Sequence, residues 1–241
     1  MIPYIINNKR IPYFALIGQM VTGRMSDKNI MIFKQIESGG DRNYAYLVAC
    51  KNTREGALID PSPEPVKVAE AVSEEEVKIK YIINTHSHLD HSGGNDYFKK
   101  INTGNNMTFI NCTGETEYKN HHLLDLGSLT LEIINTPGHT KDSICIKISE
   151  KLLTGDTLFV GKVGGTYGET EAREEYESLK KIILLPPETE IWPGHNYGVK
   201  SHSTLGYELE NNPFIKRLSD FREFLWLKQN WPEYKKAHNI K

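Results

Sequence analysis

The sequence is short of cysteine, of long apolar runs and of net charge, and each shortage removes a class of protein. Only Cys50, Cys112 and Cys145 occur, far apart, with no C-x-x-C pair and one thiol left over after any pairing. A disulfide framework is thereby excluded, and a reducing cytosol is the expected compartment. No segment approaches the roughly 20 consecutive apolar residues of a membrane span. Lys and Arg total 29 against 31 for Asp and Glu, so a formal charge of −2 supplies no field that would gather a polyanion. Membrane and nucleic acid both drop out as partners. What is left, 38% hydrophobic, 25% charged and 10% aromatic, is the composition of a globule able to bury a core.

No Gly/Ser linker or low-complexity tract divides the 241 residues. One domain is expected over residues 31–241, with residues 1–30 as an N-terminal extension packing on it. Residues 9 to 21 imitate the charged and apolar parts of a signal peptide, but Pro12, Tyr13 and Gln19 interrupt the apolar stretch and TGRM is a poor cleavage site.

Periodicity predicts strands at 31–36 and 44–49 and a third containing Leu58 and Ile59, closed by a turn at Asp60-Pro61. A helix over 65–76, with Val66, Ala69 and Val72 at helical spacing, feeds the strand KIKYIIN, which ends abruptly in THSHLDHSGG. A short helix at 95–100, a loop at 103–106 and a strand at 107–110 follow. Strand-like pieces then lie in DLGSLTLEIIN, DSICIKI and KLLTGDTLFV. The second half repeats the step, with a helix over 172–184 and a strand in TEIWPGH. Asn212 and Pro213 read as cap and first-turn proline of a terminal amphipathic helix with Phe214, Leu218, Phe221 and Leu225 on one face. This order implies an α+β architecture of two packed sheets covered by helices.

Chemistry concentrates at strand ends. The loop after IIN holds His86, His88, Asp90 and His91 within six positions. Its backbone no longer alternates, so it can aim several of these side chains at one point, and two imidazoles at i and i+2 can share a metal. A lone surface histidine is usually just solvated, whereas four potential ligands so close together ask for a cation. Three more candidates stand beside glycines at later strand ends: His139 in TPGHT, Asp156 in TGDT and His195 in PGHN.

The motifs THSHLDH, TPGHT, TGDTLF and PGHNY, in this order, resemble the successive metal motifs of the metallo-β-lactamase superfamily, and within it the glyoxalase II group of thioester hydrolases. The resemblance covers roughly residues 31 to 215. It implies the four-layer αβ/βα sandwich with the site at one edge between the sheets. It implies further that His86, His88 and His139 bind a first metal, that Asp90, His91 and His195 bind a second, and that Asp156 bridges both. Five imidazoles and two carboxylates without a thiolate suit two divalent ions, with zinc favoured and iron and manganese as alternatives. A water shared by two such ions ionises near neutral pH, giving a hydroxide to attack a thioester carbonyl, with Asp90 available as proton shuttle.

Substrate contacts are read from the same resemblance. Tyr167 and Tyr197 stand where the glutathione-thioester enzymes carry tyrosines, but Gly165 stands where they carry a lysine. Lys162 is the nearby candidate to compensate, against the plainer reading of a solvated lysine. The alternative activity is a persulfide dioxygenase with one iron on His86, His139 and Asp156, and a non-catalytic metal-binding scaffold is the third reading. The remaining features take plain structural readings. His121 and His122 are solvated, Cys145 is a buried small hydrophobe, and the acidic EAREEYE run is a solvated helix face. Phe221, Phe224, Trp226 and Trp231 are core and domain cover, or an oligomer contact.

Overall fold

Strand Tyr44–Cys50 shows why the chain builds layers. Every residue of YAYLVAC is buried, so both of its faces must be covered. Alternation sorts them: Tyr44, Tyr46, Val48 and Cys50 enter one core, and Ala45, Leu47 and Ala49 enter another. The computed structural model describes residues 5–6, 9–10, 30–101, 107–111 and 121–240. Most of the extension 1–30, the loop expected at 103–106 and Cys112 lie outside the described residues. Of the extension, Ile5–Ile6 pairs with Lys9–Arg10.

The first sheet runs Met31–Glu37, Tyr44–Cys50, Glu55–Ile59, Lys78–Ile83, Thr108–Ile110, an antiparallel meander whose last three strands are parallel. The second runs Ser203–Thr204, Glu190–Pro193, Lys151–Gly155, Ile144–Ile148, Leu129–Asn135, His122–Leu126, antiparallel except between Lys151–Gly155 and Glu190–Pro193. Leu131, Ile133, Ile144, Ile146 and Leu153 of the second sheet meet Tyr46, Val48 and Ile59 of the first in the central core. Outside, Val68 of helix Pro65–Glu74 and Phe98 of helix Asn95–Ile101 cover the first sheet. Leu179 and Ile182 of helix Glu169–Ile182, with Phe224 and Leu227, cover Ile134, Cys145 and Leu152 of the second. The product is a four-layer αβ/βα sandwich. Among the described residues no helix is long and apolar enough to cross a membrane.

The C-terminal segment corrects one expectation. Asn212 does cap, its Oδ1 accepting from the Phe214 and Ile215 amides at 3.0 and 3.4 Å, but only the 3-10 turn Ile215–Arg217 follows. Asp220 then restarts the chain, accepting from the Arg222 amide at 2.8 Å as N-cap of helix Phe221–Gln229, and Trp231–Ala237 forms a further helix. A short carboxylate that captures a nearby amide competes with helix continuation. Because the helix restarts, its buried residues are Phe224 and Leu227 rather than Phe221 and Leu225, and Trp226 is half exposed. Helix Leu205–Asn211, which periodicity did not reveal, precedes the turn, with Thr204 Oγ1 accepting from the Tyr207 amide.

The acidic run is also misread by its composition. Glu175, in the middle of EAREEYE, is fully buried, and its neighbour Tyr176 is largely so, because helix Glu169–Ile182 presents that side to the second sheet.

Asn212 is fully buried, and its Nδ2 donates to Glu208 Oε2 at 2.9 Å and to Lys162 O at 3.2 Å. Asn212→Ala removes the cap and strands buried acceptors, so it is expected to cost about 2 kcal/mol. Urea unfolding measures this; a change within about 0.5 kcal/mol, the range of neutral surface substitutions, contradicts the role given to Asn212.

Candidate metal centre

Five strands end at one edge of the sandwich, and each delivers a polar side chain there. Glu55–Ile59 leads to Asp60, Lys78–Ile83 to the His86–His91 loop, Leu129–Asn135 to His139, Lys151–Gly155 to Asp156 and Glu190–Pro193 to His195. His88 is the N-cap of the short helix Leu89–Ser92, which turns Asp90 and His91 back toward the strands. Three sets of side chains each gather their ligand atoms within 4.8 Å of one another: His86, His88 and His139; Asp90, His91 and His195; and His86, His91 and Asp156.

The imidazole orientations follow from their outer hydrogen bonds. Thr85 Oγ1 donates to Asp60 Oδ2 at 2.6 Å, so its lone pair accepts from His86 Nδ1 at 3.1 Å. His91 Nδ1 donates to Asp60 Oδ2 at 2.9 Å, His139 Nδ1 to Gly165 O at 2.7 Å, and His195 Nδ1 to Asp41 O at 2.9 Å. Four rings therefore carry their proton outward and turn Nε2 inward, while His88 presents Nδ1. Those inward nitrogens lie close: His86 Nε2 to His88 Nδ1 at 3.0 Å, His139 Nε2 to His88 Nδ1 at 3.1 Å, His91 Nε2 to His195 Nε2 at 3.1 Å. In the neutral rings these contacts set lone pair against lone pair, which a cation or a proton must relieve.

Charge tells the same story. Burial, reinforced for His86 by the charge of His91, lowers the pKa of His86 and His139. For His91 burial opposes the charge, yet Asp60, Asp156 and Asp90 outweigh it and raise the pKa to about 9. His195 is raised by Asp156 against burial, and Asp156 is held below the usual carboxylate range by His195, His91 and His86, also against burial. Asp156 Oδ1 is buried without a hydrogen-bond partner among the described residues. It lies 3.4 Å from His91 Nε2, while Oδ2 lies 3.6 Å from His139 Nε2 and 3.4 Å from His195 Nε2. An orphaned carboxylate oxygen between two sets of inward nitrogens fits a bound divalent cation. Gly194 allows this approach, since a Cβ there would sit 2.6 Å from Asp156 Oδ1.

The Metallo-beta-lactamase superfamily model matches residues 38–104. A probable hydroxyacylglutathione hydrolase, glo2, of Schizosaccharomyces pombe is 33% identical over 196 residues, covering 76% of this chain and 75% of the relative. The mitochondrial hydroxyacylglutathione hydrolase of Saccharomyces cerevisiae is 38% identical over 180 residues, 66% of this chain and 62% of the relative. The chain belongs to the hydroxyacylglutathione hydrolase family of the metallo-β-lactamase superfamily. It is a metal-dependent hydrolase. Among solved structures, that of ETHE1 from Myxococcus xanthus superposes with a TM-score of 0.74 at 28% identity, covering 83% of this chain and 91% of that one.

Beside these histidines and carboxylates lies a cleft of about 490 Å3, lined among others by Phe159, Lys162, Tyr167, Tyr197, Lys228 and Trp231. Tyr197 stacks on His195 with ring centroids 4.5 Å apart, and its hydroxyl donates to Asp41 Oδ2 at 2.6 Å. Lys162 Nζ sits 4.2 Å from the Tyr197 ring centroid, which departs from the solvated reading of that lysine. It makes no hydrogen bond or ion pair among the described residues. Tyr167 is 86% exposed at the cleft wall. His121 and Glu132 form an ion-pair contact away from these groups, and Cys145 is fully buried in the second sheet, with burial raising its pKa to about 11.

Sequence reading missed the supports. Asp60 was legible only as a turn, yet it is buried at φ 49° and fixes both Thr85 and His91. Asn43 Nδ2 donates to the Asp90 carbonyl and to its Oδ2, at 3.2 and 3.0 Å. Neither belongs to a local pattern; a lone Asp before proline and a lone Asn before a strand carry no signal. Asp60→Asn keeps the size but puts an amide where His91 Nδ1 needs an acceptor. We expect divalent-metal affinity to fall by about 10- to 100-fold. Competition with a chromophoric chelator measures it; unchanged affinity would remove Asp60 from the site.

Proposed function

We propose that the protein hydrolyses small thioesters at a two-metal centre, with His86, His88 and His139 on one ion, Asp90, His91 and His195 on the other, and Asp156 shared. One observation carries the reading: two complete ligand sets meet at a buried carboxylate whose Oδ1 has no hydrogen-bond partner among the described residues. These residues would hold divalent ions, zinc first and iron or manganese as alternatives, which would supply an ionised water near neutral pH and Lewis acidity toward the carbonyl oxygen. The side chains do the rest. Asp90, with 42% of its side chain exposed, is the open carboxylate and serves as proton shuttle, held in place by Asn43. The rings stay aimed because each outward Nδ1 is already bound. A thiolate leaves readily, so the reaction requires little general acid.

The cleft holds the substrate. Tyr197 offers its ring rather than its hydroxyl, which Asp41 occupies; Lys162 brings a side chain that makes no direct ion pair among the described residues; and Tyr167 borders the opening. An unpaired, half-buried ammonium favours an anionic substrate. Hydroxyacylglutathione, named in the relatives, is the first compound to test. Residues 31–241 are proposed to act as one domain. A cytosolic location is proposed from the dispersed cysteines, and fractionation tests it because the Saccharomyces cerevisiae relative is named mitochondrial.

The test is a panel of thioesters, lactones and a persulfide assayed with and without oxygen, combined with elemental analysis. Two ions per chain, oxygen-independent thioester cleavage, a loss of at least about 100-fold in kcat for Asp156→Ala and a KM raised about 10-fold for Lys162→Ala are expected. One iron per chain with oxygen uptake on the persulfide would replace this reading by the dioxygenase.

A further inference from the structure

Lys228, on helix Phe221–Gln229, reaches inward instead of into solvent. Its side chain is 8% exposed and its partner Glu175 is fully buried, with Nζ 2.5 Å from Glu175 Oε2. The same ammonium donates to Gly164 O at 2.5 Å. Gly164 adjoins Gly165, whose carbonyl accepts His139 Nδ1 at 2.7 Å. The ammonium thus grips the peptide segment that orients one metal ligand.

Glu175 also supports His139 from the preceding residue. Gly138 has φ 144°, and a Cβ there would lie 2.3–2.4 Å from the Glu175 N, Cα and Cβ atoms. One turn further along the same helix, Ser178 Oγ donates to Pro137 O at 2.7 Å. The segment Pro137–His139 is therefore pressed onto helix Glu169–Ile182, and the Gly164–Gly165 segment is tied to that helix through Lys228. His139 is clamped between the two.

Stability alone accounts poorly for this pair. Desolvating two charges costs several kcal/mol per ion, and buried pairs are often replaced by neutral residues without loss. Glu175 Oε1 even lacks a hydrogen-bond partner among the described residues. What a neutral pair of similar shape could not supply is a charged donor on the Gly164 carbonyl.

We infer that Lys228, held by Glu175, is a positioning residue of the first metal site: it fixes the Gly164–Gly165 carbonyls and through them the aim of His139 Nε2. The inference rests on the two-metal reading above. It makes helix Phe221–Gln229 part of the metal centre's support as well as a wall of the cleft.

The test uses the double variant Glu175→Gln/Lys228→Met, which removes both charges together and strands neither, alongside Lys228→Arg, which keeps a charged donor. Zinc affinity is measured by chelator competition in two backgrounds, His195→Ala to disable the second ligand set and His88→Ala to disable the first. Urea unfolding of the metal-free proteins runs in parallel. The double variant is expected to lose about 10- to 100-fold in affinity in the His195→Ala background and less than about 3-fold in the His88→Ala background, at an unchanged urea midpoint. Lys228→Arg is expected to recover most of the affinity.

Unchanged zinc affinity in both backgrounds overturns the inference and leaves the two-metal reading standing. Equal losses in both, tracking a lowered urea midpoint, also overturn it, because the pair is then merely structural. An unaltered protein that binds no zinc at all overturns the two-metal reading and this inference with it.

Discussion

The site depends on one constraint: imidazole nitrogens whose protons are committed outward are forced to face one another. Asp60, Thr85, Gly165 and Asp41 take the Nδ1 protons of His91, His86, His139 and His195, leaving Nε2 lone pairs about one hydrogen-bond length from a neighbouring imidazole nitrogen. In a buried pocket such an arrangement is unfavourable unless positive charge enters it. Asp60, Asp156 and Asp90 raise the pKa of His91 against burial, so the carboxylates around these nitrogens favour positive charge there. Neutral rings and ionised carboxylates are the forms that bind metal, so ion and proton compete for the same atoms.

The layers exist at the service of this convergence. Strands such as Tyr44–Cys50, buried on both faces, give a rigid platform, and the active side chains begin where such strands stop. At the strand ends, glycines at 155 and 194 let the Asp156 and His195 segments approach Thr85 and His91 more closely than any side chain would permit. The outer helices then act on the site from behind. Helix Glu169–Ile182 bears on the His139 loop, and Glu208 and Asn212 fix the Gly161–Lys162 turn that brings Lys162 to the cleft.

What was legible in the sequence had a short repeat distance. His86, His88, Asp90 and His91 announce themselves within six residues, and each later ligand sits in a glycine-flanked strand end. The alternation in YAYLVAC and the β-branched run KIKYIIN likewise gave the layers. Features set by contacts across long sequence separations were not legible. Asp60 reaches His91 across 31 positions and Glu175 meets Lys228 across 53, so neither pairing leaves a local trace, and Glu175 hides among the exposed Arg173, Glu174 and Glu177. The terminal helix was misjudged because its apolar spacing survives the break at Asp220, whereas the backbone follows the cap.

In the proposed centre, two ions would share Asp156. Anomalous diffraction from crystals of the protein loaded with zinc, recorded on both sides of the zinc absorption edge, tests it most directly. Two peaks are expected, one among His86, His88 and His139 and one among Asp90, His91 and His195, both in contact with Asp156. A single peak, or Asp156 turned away from either ion, contradicts the account.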